Sequence, residues 1–440
     1  MKIKLLSLSL LSLVLFSSSY AQKVYELTDC IKTGLEKNFS LLVTKNSETI
    51  AKNNYTRGNA GFLPSISLSR GHSGTLYDVY NNIFDTTHTE TRNIFNTSSS
   101  GSLSMDWTIF NGFNVVNTYK KLGELKELGT LNTQMEIENL IADIISGYYN
   151  YIQQVQLLNN IKYAVALSKE RLRIDEDRYL LGSSSKLQVL QSRVYLNSDS
   201  SRLSRQYEVV RSAQVSLNEL MAVDDLSSLW ISKDTAIEVD NSLLYEKLLE
   251  ETLNKNTSLQ IASKNMTVSE YDHKLVISRS YPYLIASASY YGLFGTSSNS
   301  SYKNQLTNGL NYGLTFRFNI FDGLTQHRSI RNSSIDVRNK ELIYREIEQG
   351  VRADLITIYS AYSNYLRLTT LEQQNLQTAT ENLSIAMERY KLGELSGIDL
   401  REVQKSLLDA KESLLSVQFQ TKLAEISLLL ISGRIMEYYK

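Results

Sequence analysis

One cysteine, two prolines and no net charge are what this 440-residue chain has least of. The single cysteine, Cys30, excludes an internal disulfide. Pro64 and Pro282 are the only prolines, so residues 65–281 lack the strongest helix breaker and leave room for long helices. Lys and Arg number 46, as do Asp and Glu, so no basic field exists to draw in polyanions, and no nucleic-acid partner is expected. Beyond the N-terminus no run of about 18 apolar residues occurs, which excludes an ordinary transmembrane helix. A membrane placement of the mature chain would then require a β-barrel. His72, His88, His273 and His327 lack ligand spacing, and there is no cysteine cluster, nucleophile elbow or phosphate loop. The expectation is a protein that is not an enzyme, with no cofactor and no metal.

What is present begins with an export signal. Lys2 and Lys4 precede an apolar run over residues 5–16, and Ser19 and Ala21 sit at the −3 and −1 positions of a cut, so residues 1–21 read as a secretory signal peptide. Cys30 lies nine residues past that cut, which argues against an N-terminal lipid anchor.

Self-comparison shows a duplication. Trp107-Thr-Ile-Phe-Asn-Gly matches Phe318-Asn-Ile-Phe-Asp-Gly, and Arg178-Tyr-Leu-Leu-Gly matches Arg389-Tyr-Lys-Leu-Gly, both displaced by 211 positions. Lys37-Asn-Phe-Ser-Leu matches Lys255-Asn-Thr-Ser-Leu, and Pro64 matches Pro282, both displaced by 218. The offset changes once, between each proline and its IFxG motif, where a loop absorbs the seven-residue difference. The expected layout is a first repeat at 22–222, a linker at 223–240 holding Asp224, Asp225 and Trp230, a second repeat at 241–434 and a short end at 435–440.

Each repeat opens with an amphipathic segment, such as Leu243, Leu244, Leu248, Leu249 and Leu253. Two strands are expected next, near 65–77 and 101–110, then near 283–291 and 309–321. In the second of each pair Leu103, Met105, Trp107 and Ile109 alternate with polar residues, as do Leu310, Tyr312, Leu314, Phe316, Phe318 and Ile320. The run from 310 to 320 has the 9 to 11 residues of a tilted membrane strand, with its apolar face toward lipid. The same alternation also fits a half-buried soluble sheet. Polar stretches at 78–98 and 292–308 read as surface loops. Tyr77, Tyr80, Tyr283, Tyr290, Tyr291 and Tyr312, flanking strands, suit an interfacial girdle.

After Gly112 and Gly323 the period becomes helical. Leu140, Ile144, Tyr148, Tyr151, Val155 and Leu158 recur at steps of three and four, as do Val351, Leu355, Ile358, Tyr362, Tyr365 and Leu368. A helix from Gly112 to Gly182 would be about 105 Å long, too long for an ordinary globular core, and points to coiled-coil or helical-barrel packing. Each long helix turns back at its RYxLG motif, where glycine and serine supply turn chemistry. The hairpins are expected at about 112–220 and 323–433.

Four strands cannot close a barrel, and open edges in lipid leave backbone groups unpaired. Copies must share one, and a water-filled pore favours three chains over two, hence a homotrimer with a 12-stranded barrel. The fold class expected is a membrane β-barrel continued by a long α-helical barrel, built from two repeats.

The signal, the duplication, the IFxG junctions and the RYxLG tips followed by sequence of the Asp399-Leu400 type resemble the TolC-like outer membrane efflux proteins over nearly the whole mature chain. That resemblance implies a trimeric channel in the outer membrane with a periplasmic helical tunnel, an equatorial region formed partly by the linker, and docking to a periplasmic adaptor and an inner-membrane pump. It places adaptor contacts at Arg178, Tyr179, Gly182, Ser183, Ser184 and Ser185, and at Arg389, Tyr390, Gly393, Ser396 and Gly397; the plainer reading is that these are turn residues. Family channels close through inter-helix polar contacts and acidic rings. Glu381 and Glu388 share a helix face near the second tip, but the usual aspartate position holds Ser384, and a solvated face explains the same charges. Asp175, Glu176 and Asp177 near the first tip carry the same two readings. The competing function is a periplasmic coiled-coil adaptor or scaffold without a pore. Cargo is not legible, because a tunnel wall need not bind what passes through it.

Overall fold

The computed structural model describes residues 23–83 and 87–439; the signal peptide expected at 1–21 lies outside them. In chain order the elements are β1 (Lys23–Tyr25), α1 (Leu27–Lys37), α2 (Phe39–Asn54), β2 (Ser65–Ile83), β3 (Thr87–Asn111), α3 (Asn114–Leu180) and α4 (Lys186–Leu220). The second half repeats the series with β4 (Trp230–Ser232), α5 (Tyr245–Lys255), α6 (Thr257–Ser278), β5 (Tyr283–Ser297), β6 (Asn304–Arg317), α7 (Thr325–Leu392) and α8 (Gly397–Ile431), followed by a 3₁₀ turn at Ile435–Tyr439. Helices α4 and α8 are each 35 residues long and are displaced by the same 211 positions as their tip motifs. The duplication is therefore structural as well as sequential.

The chain divides into two compact units. One takes residues up to Thr44, Thr133–Thr257 and Glu348–Lys440, and it carries a real core. Leu140, Ile144, Tyr148 and Tyr151 of α3 are buried there beside Leu355 and Tyr362 of α7 and Leu415, Ile426 and Leu428 of α8. The three-and-four spacing puts these side chains on one stripe, and burying the stripe is what holds so long a helix. Trp230, from the linker, is drawn into this core. Its ring lies 5.5 Å from Tyr25 and 4.7 Å from Tyr151, and its Nε1 donates to Asn218 Oδ1 at 2.8 Å. The strand it begins pairs in parallel with β1. Helix α8 is long and apolar enough to match a spanning helix by composition alone. Here it is a core helix, with the buried Lys422–Glu425 ion pair at 2.8 Å in its last third.

The other unit takes Lys45–Asn132 and Ser258–Ile347. Its sheet is antiparallel in the order β2-β3-β5-β6, open at both β2 and β6. Each strand pair passes to its helix through a tight junction. At Gly112 (φ 65°) a Cβ would lie 2.3 Å from the Ser278 carbonyl oxygen, so only glycine fits. Lys264 bridges Glu124 and Glu127, and Lys121 bridges Asp272, tying α6 to the first turns of α3.

Two expectations about this sheet change. The polar stretches at 78–98 and 292–308 are mostly strand: β2 runs to Ile83, β3 starts at Thr87, and β5 and β6 leave only residues 298–303 between them. Polar residues on both faces suggest loop, but Thr75, Thr89, Thr91 and Thr97 are β-branched and suit a largely solvated hairpin in which Ile94 is buried. The hairpin twists at a bulge beside Asp78, whose carboxylate accepts from the amide of Asn93 at 2.7 Å, holding that residue at φ 58°. The second change is at β6, which ends at Arg317, so Phe318 and Ile320 lie beyond it. Arg317 pairs with Tyr283, the first residue of β5, and past that point β6 has no ladder partner among the described residues.

Candidate functional site

The helical hairpin tips are built by local rules that the two repeats share. Helix α3 closes with Gly182 at φ 75° and α7 with Gly393 at φ 86°. In each, the next amide reaches back five residues, Ser183 to the Arg178 carbonyl and Glu394 to the Arg389 carbonyl, both at 2.9 Å. That is the Schellman pattern, which satisfies carbonyls the helix end would otherwise leave unpaired. The returning helices are capped alike: Ser185 Oγ accepts from the Gln188 amide and Ser396 Oγ from the Asp399 amide. Gly397 is the first residue of α8.

The tips then diverge. Tyr179 is 46% exposed while its repeat partner Tyr390 is 1% exposed. The Tyr390 hydroxyl donates to Asp175 Oδ1, Ser192 donates to Asp175 Oδ2, and Arg178 lies over the Tyr390 ring at 4.8 Å while donating to the Tyr390 carbonyl. Burial, then the adjoining carboxylate, push the Tyr390 hydroxyl well above the usual phenol range. Tyr390, grouped by sequence with the contact residues, thus spends its side chain holding the two hairpins together rather than presenting a surface. Arg389 instead pairs at 3.6 Å with Glu394 of its own tip. Farther along, Arg401 grips Asp199 with two bonds of 2.8 and 2.9 Å.

Exposed apolar side chains concentrate on the first tip: Leu180 and Leu181 stand out from the turn and Leu187, Leu190 and Val194 follow along α4. The second tip exposes Leu392 and Ile398. Glu381, Ser384 and Glu388 are exposed on α7, opposite the buried Leu383, Ala386 and Tyr390.

Asp175, Ser192, Asp199 and Arg401 do not stand out as a constellation in the sequence, although a signal exists. Displaced by 211 positions, Ser168, Asp175, Ser192 and Asp199 fall on Ala379, Ala386, Val403 and Ala410. Polar residues in one repeat at positions that are small and apolar in the other mark a buried polar cluster.

In the sheet unit, Leu103, Met105 and Trp107 share a face with Tyr290, Ala288 and Ala286, and these with Leu310, Tyr312 and Leu314. Phe316 continues the row, and Leu314 is 68% exposed. The opposite face carries Ser67, Ser104, Ser289 and Asn311 in one row and Ser65, Asp106, Ser287 and Gly313 in the next. Ser104 and Ser289 hydroxyls bond across the strands at 3.0 Å, as do Ser69 and Ser102 at 2.7 Å. An exposed apolar band backed by a serine-rich face inverts the arrangement of a water-soluble sheet.

A family model described as "Outer membrane efflux protein" matches residues 30–223 and 248–434, that is, both repeats. The chain belongs to the outer membrane efflux protein family. Solved structures share the fold of this efflux protein at low identity. A membrane protein from Pseudomonas aeruginosa is 14% identical, with a TM-score of 0.76 over 92% of this chain and 93% of that one. The Campylobacter jejuni CmeC outer membrane channel is 15% identical, with a TM-score of 0.75 over 93% and 85%. The open state of the Neisseria gonorrhoeae MtrE outer membrane channel is 15% identical, with a TM-score of 0.72 over 93% and 89%. No curated protein matches the sequence significantly.

Proposed function

We propose that this efflux protein is the outer-membrane channel of a tripartite efflux or type I secretion machine, a homotrimer with a shared 12-stranded barrel and a helical tunnel in the periplasm. The observation that carries the reading is the open sheet: an apolar outer face combined with free edges at β2 and β6. Edges unpaired in lipid cost several kcal/mol per backbone group, so copies must supply them. The chain's own repeat supplies the register. Applying the repeat offsets to the β3–β5 ladder, where Leu103 faces Tyr290 and Trp107 faces Ala286, sets Leu314 opposite His72 and Phe318 opposite Leu68 of a second copy. Phe318 then regains the strand partner it lacks within one chain. Leu103, Met105, Trp107, Leu310, Tyr312, Leu314, Phe316 and Phe318 would face outer-membrane lipid, and the serine-rich face would line the pore.

At the periplasmic end an adaptor, itself bound to an inner-membrane pump, would meet the exposed tip residues Tyr179, Gly182, Ser183, Ser185, Gly393 and Ser396 and the half-buried Ser184 and Gly397. Glu381, Ser384 and Glu388 would be repeated three times around the tunnel. The decisive experiment is cross-linking of the Leu314→Cys, His72→Cys double variant in outer-membrane fractions. The expected result is a covalent trimer ladder; monomer only, or recovery of the protein in the soluble periplasm, would leave the adaptor or scaffold reading in its place. Leu314→Arg should cost membrane assembly about 2–4 kcal/mol if the residue lies near the bilayer midplane. Unchanged trimer yield in heat-modifiability gels would reject the lipid-facing assignment.

A further inference from the structure

We propose that the interior of the tip bundle binds one small monovalent anion, a halide, between Arg171 of α3 and Gln404 of α8. Arg171 is 0% and Gln404 1% exposed. The guanidinium's Nη1 donates to Gln404 Oε1 at 3.4 Å, while its Nε and Nη2 and the Gln404 Nε2 meet no acceptor among the described residues. Because a guanidinium has only donors, the Gln404 oxygen must point at it and the amide NH₂ must point away. The result is a buried patch made of donors alone.

The nearby carboxylates are already engaged. Both oxygens of Asp175 accept, from Tyr390 and Ser192, and both oxygens of Asp199 accept, from Ser168 and the two Nη groups of Arg401. The Tyr195 ring is flanked by Arg171 at 4.6 Å and Arg401 at 5.1 Å, which covers the guanidinium faces but gives their edges no lone pair. Neither carboxylate accepts from Arg171, so among the described residues this buried guanidinium has no hydrogen-bonded anionic partner. A buried charge persists only when paired and hydrogen-bonded. Burial first, and then the Arg401 charge, lower the Arg171 pKa, with Asp175 acting against them. A water molecule could accept from these donors but would give the buried guanidinium no anionic partner; a halide does both.

Diffraction from the full-length trimer grown in bromide tests this directly. An anomalous peak is expected within hydrogen-bond reach of Arg171 Nη2 and Gln404 Nε2; a water there, with no anomalous signal at saturating bromide, overturns the proposal. In solution the thermal midpoint should rise with chloride and saturate, against isethionate at equal ionic strength. Gln404→Glu places a carboxylate beside Arg171, and its midpoint should lose that chloride dependence. Dependence equal to wild type in this variant would also overturn the site. Should the variant fail to assemble, the bromide data on the unaltered protein decide alone. None of these readouts depends on transport.

Discussion

The two hairpin tips begin from one motif and end in different structures. Arg178-Tyr179 and Arg389-Tyr390 stand at equivalent positions before equivalent glycines, and the same backbone bonds close both turns. Yet the first tip exposes its tyrosine and sends its arginine across to the second hairpin, while the second buries its tyrosine and keeps its arginine at home. The difference lies one helical turn and more away from the motif. Ser168, Asp175, Ser192 and Asp199 give the first hairpin a polar inner face, and Ala379, Ala386, Val403 and Ala410 give the second a small apolar one. Duplication supplied two equivalent turns; divergence of the inner faces gave the first hairpin the buried carboxylates and set the Tyr390 hydroxyl and Arg401 of the second against them. A repeat motif therefore fixes a backbone, and its neighbours fix what the side chains do.

The largest test of that asymmetry is Asp175→Ala, which makes the first hairpin resemble the second. The Tyr390 and Ser192 hydroxyls would be left buried without their acceptor, at a cost of about 3 kcal/mol. Hydrogen exchange over residues 386–392 should then quicken by roughly two orders of magnitude, because those amides report local opening of the hairpin. Unchanged exchange would mean that Asp175 does not hold the hairpins together. A somewhat smaller effect is expected of Tyr390→Phe, about 1.5–3 kcal/mol for the single hydrogen bond to a charged acceptor. Tyr179→Phe, on the exposed side, should stay within about 0.5 kcal/mol. Equal losses in the two variants, read as thermal midpoints of the solubilised protein, would erase the distinction drawn between the tips.

Periodicity and internal repetition make most of the fold legible in the amino-acid sequence. The stripe from Leu140 to Leu158, the turns at Gly182 and Gly393 and the alternation around Leu314 are all local patterns with a direct physical reading. Three features are not legible. Residues 78–83 and 87–98 are strand although no clean two-residue period marks them: Val79 and Tyr80, and Ile94 and Phe95, are adjacent apolar pairs among polar residues, so no single face is apolar. The end of β6 at Arg317 depends on where β5 begins, a long-range fact absent from the segment itself. The inward turn of Tyr390 depends on Asp175, 215 residues earlier. The one clue to it, polar residues aligned with alanines across the repeat, lies between segments and not inside either.

The smallest prediction is the control that the two tips share. Gly182→Ala and Gly393→Ala each force a Cβ into the left-handed region, at about 1 kcal/mol. Space is not the issue: a Cβ at Gly182 would meet nothing within 4 Å, and one at Gly393 would sit 3.8 Å from Arg178 Nη2, an ordinary contact. The two costs should therefore agree within about 0.5 kcal/mol, since both come from the same backbone strain. If Gly393→Ala proved much the worse, the asymmetry would reach into the turns themselves, through the Arg178 contact, and the division between a shared backbone and divergent inner faces would fail.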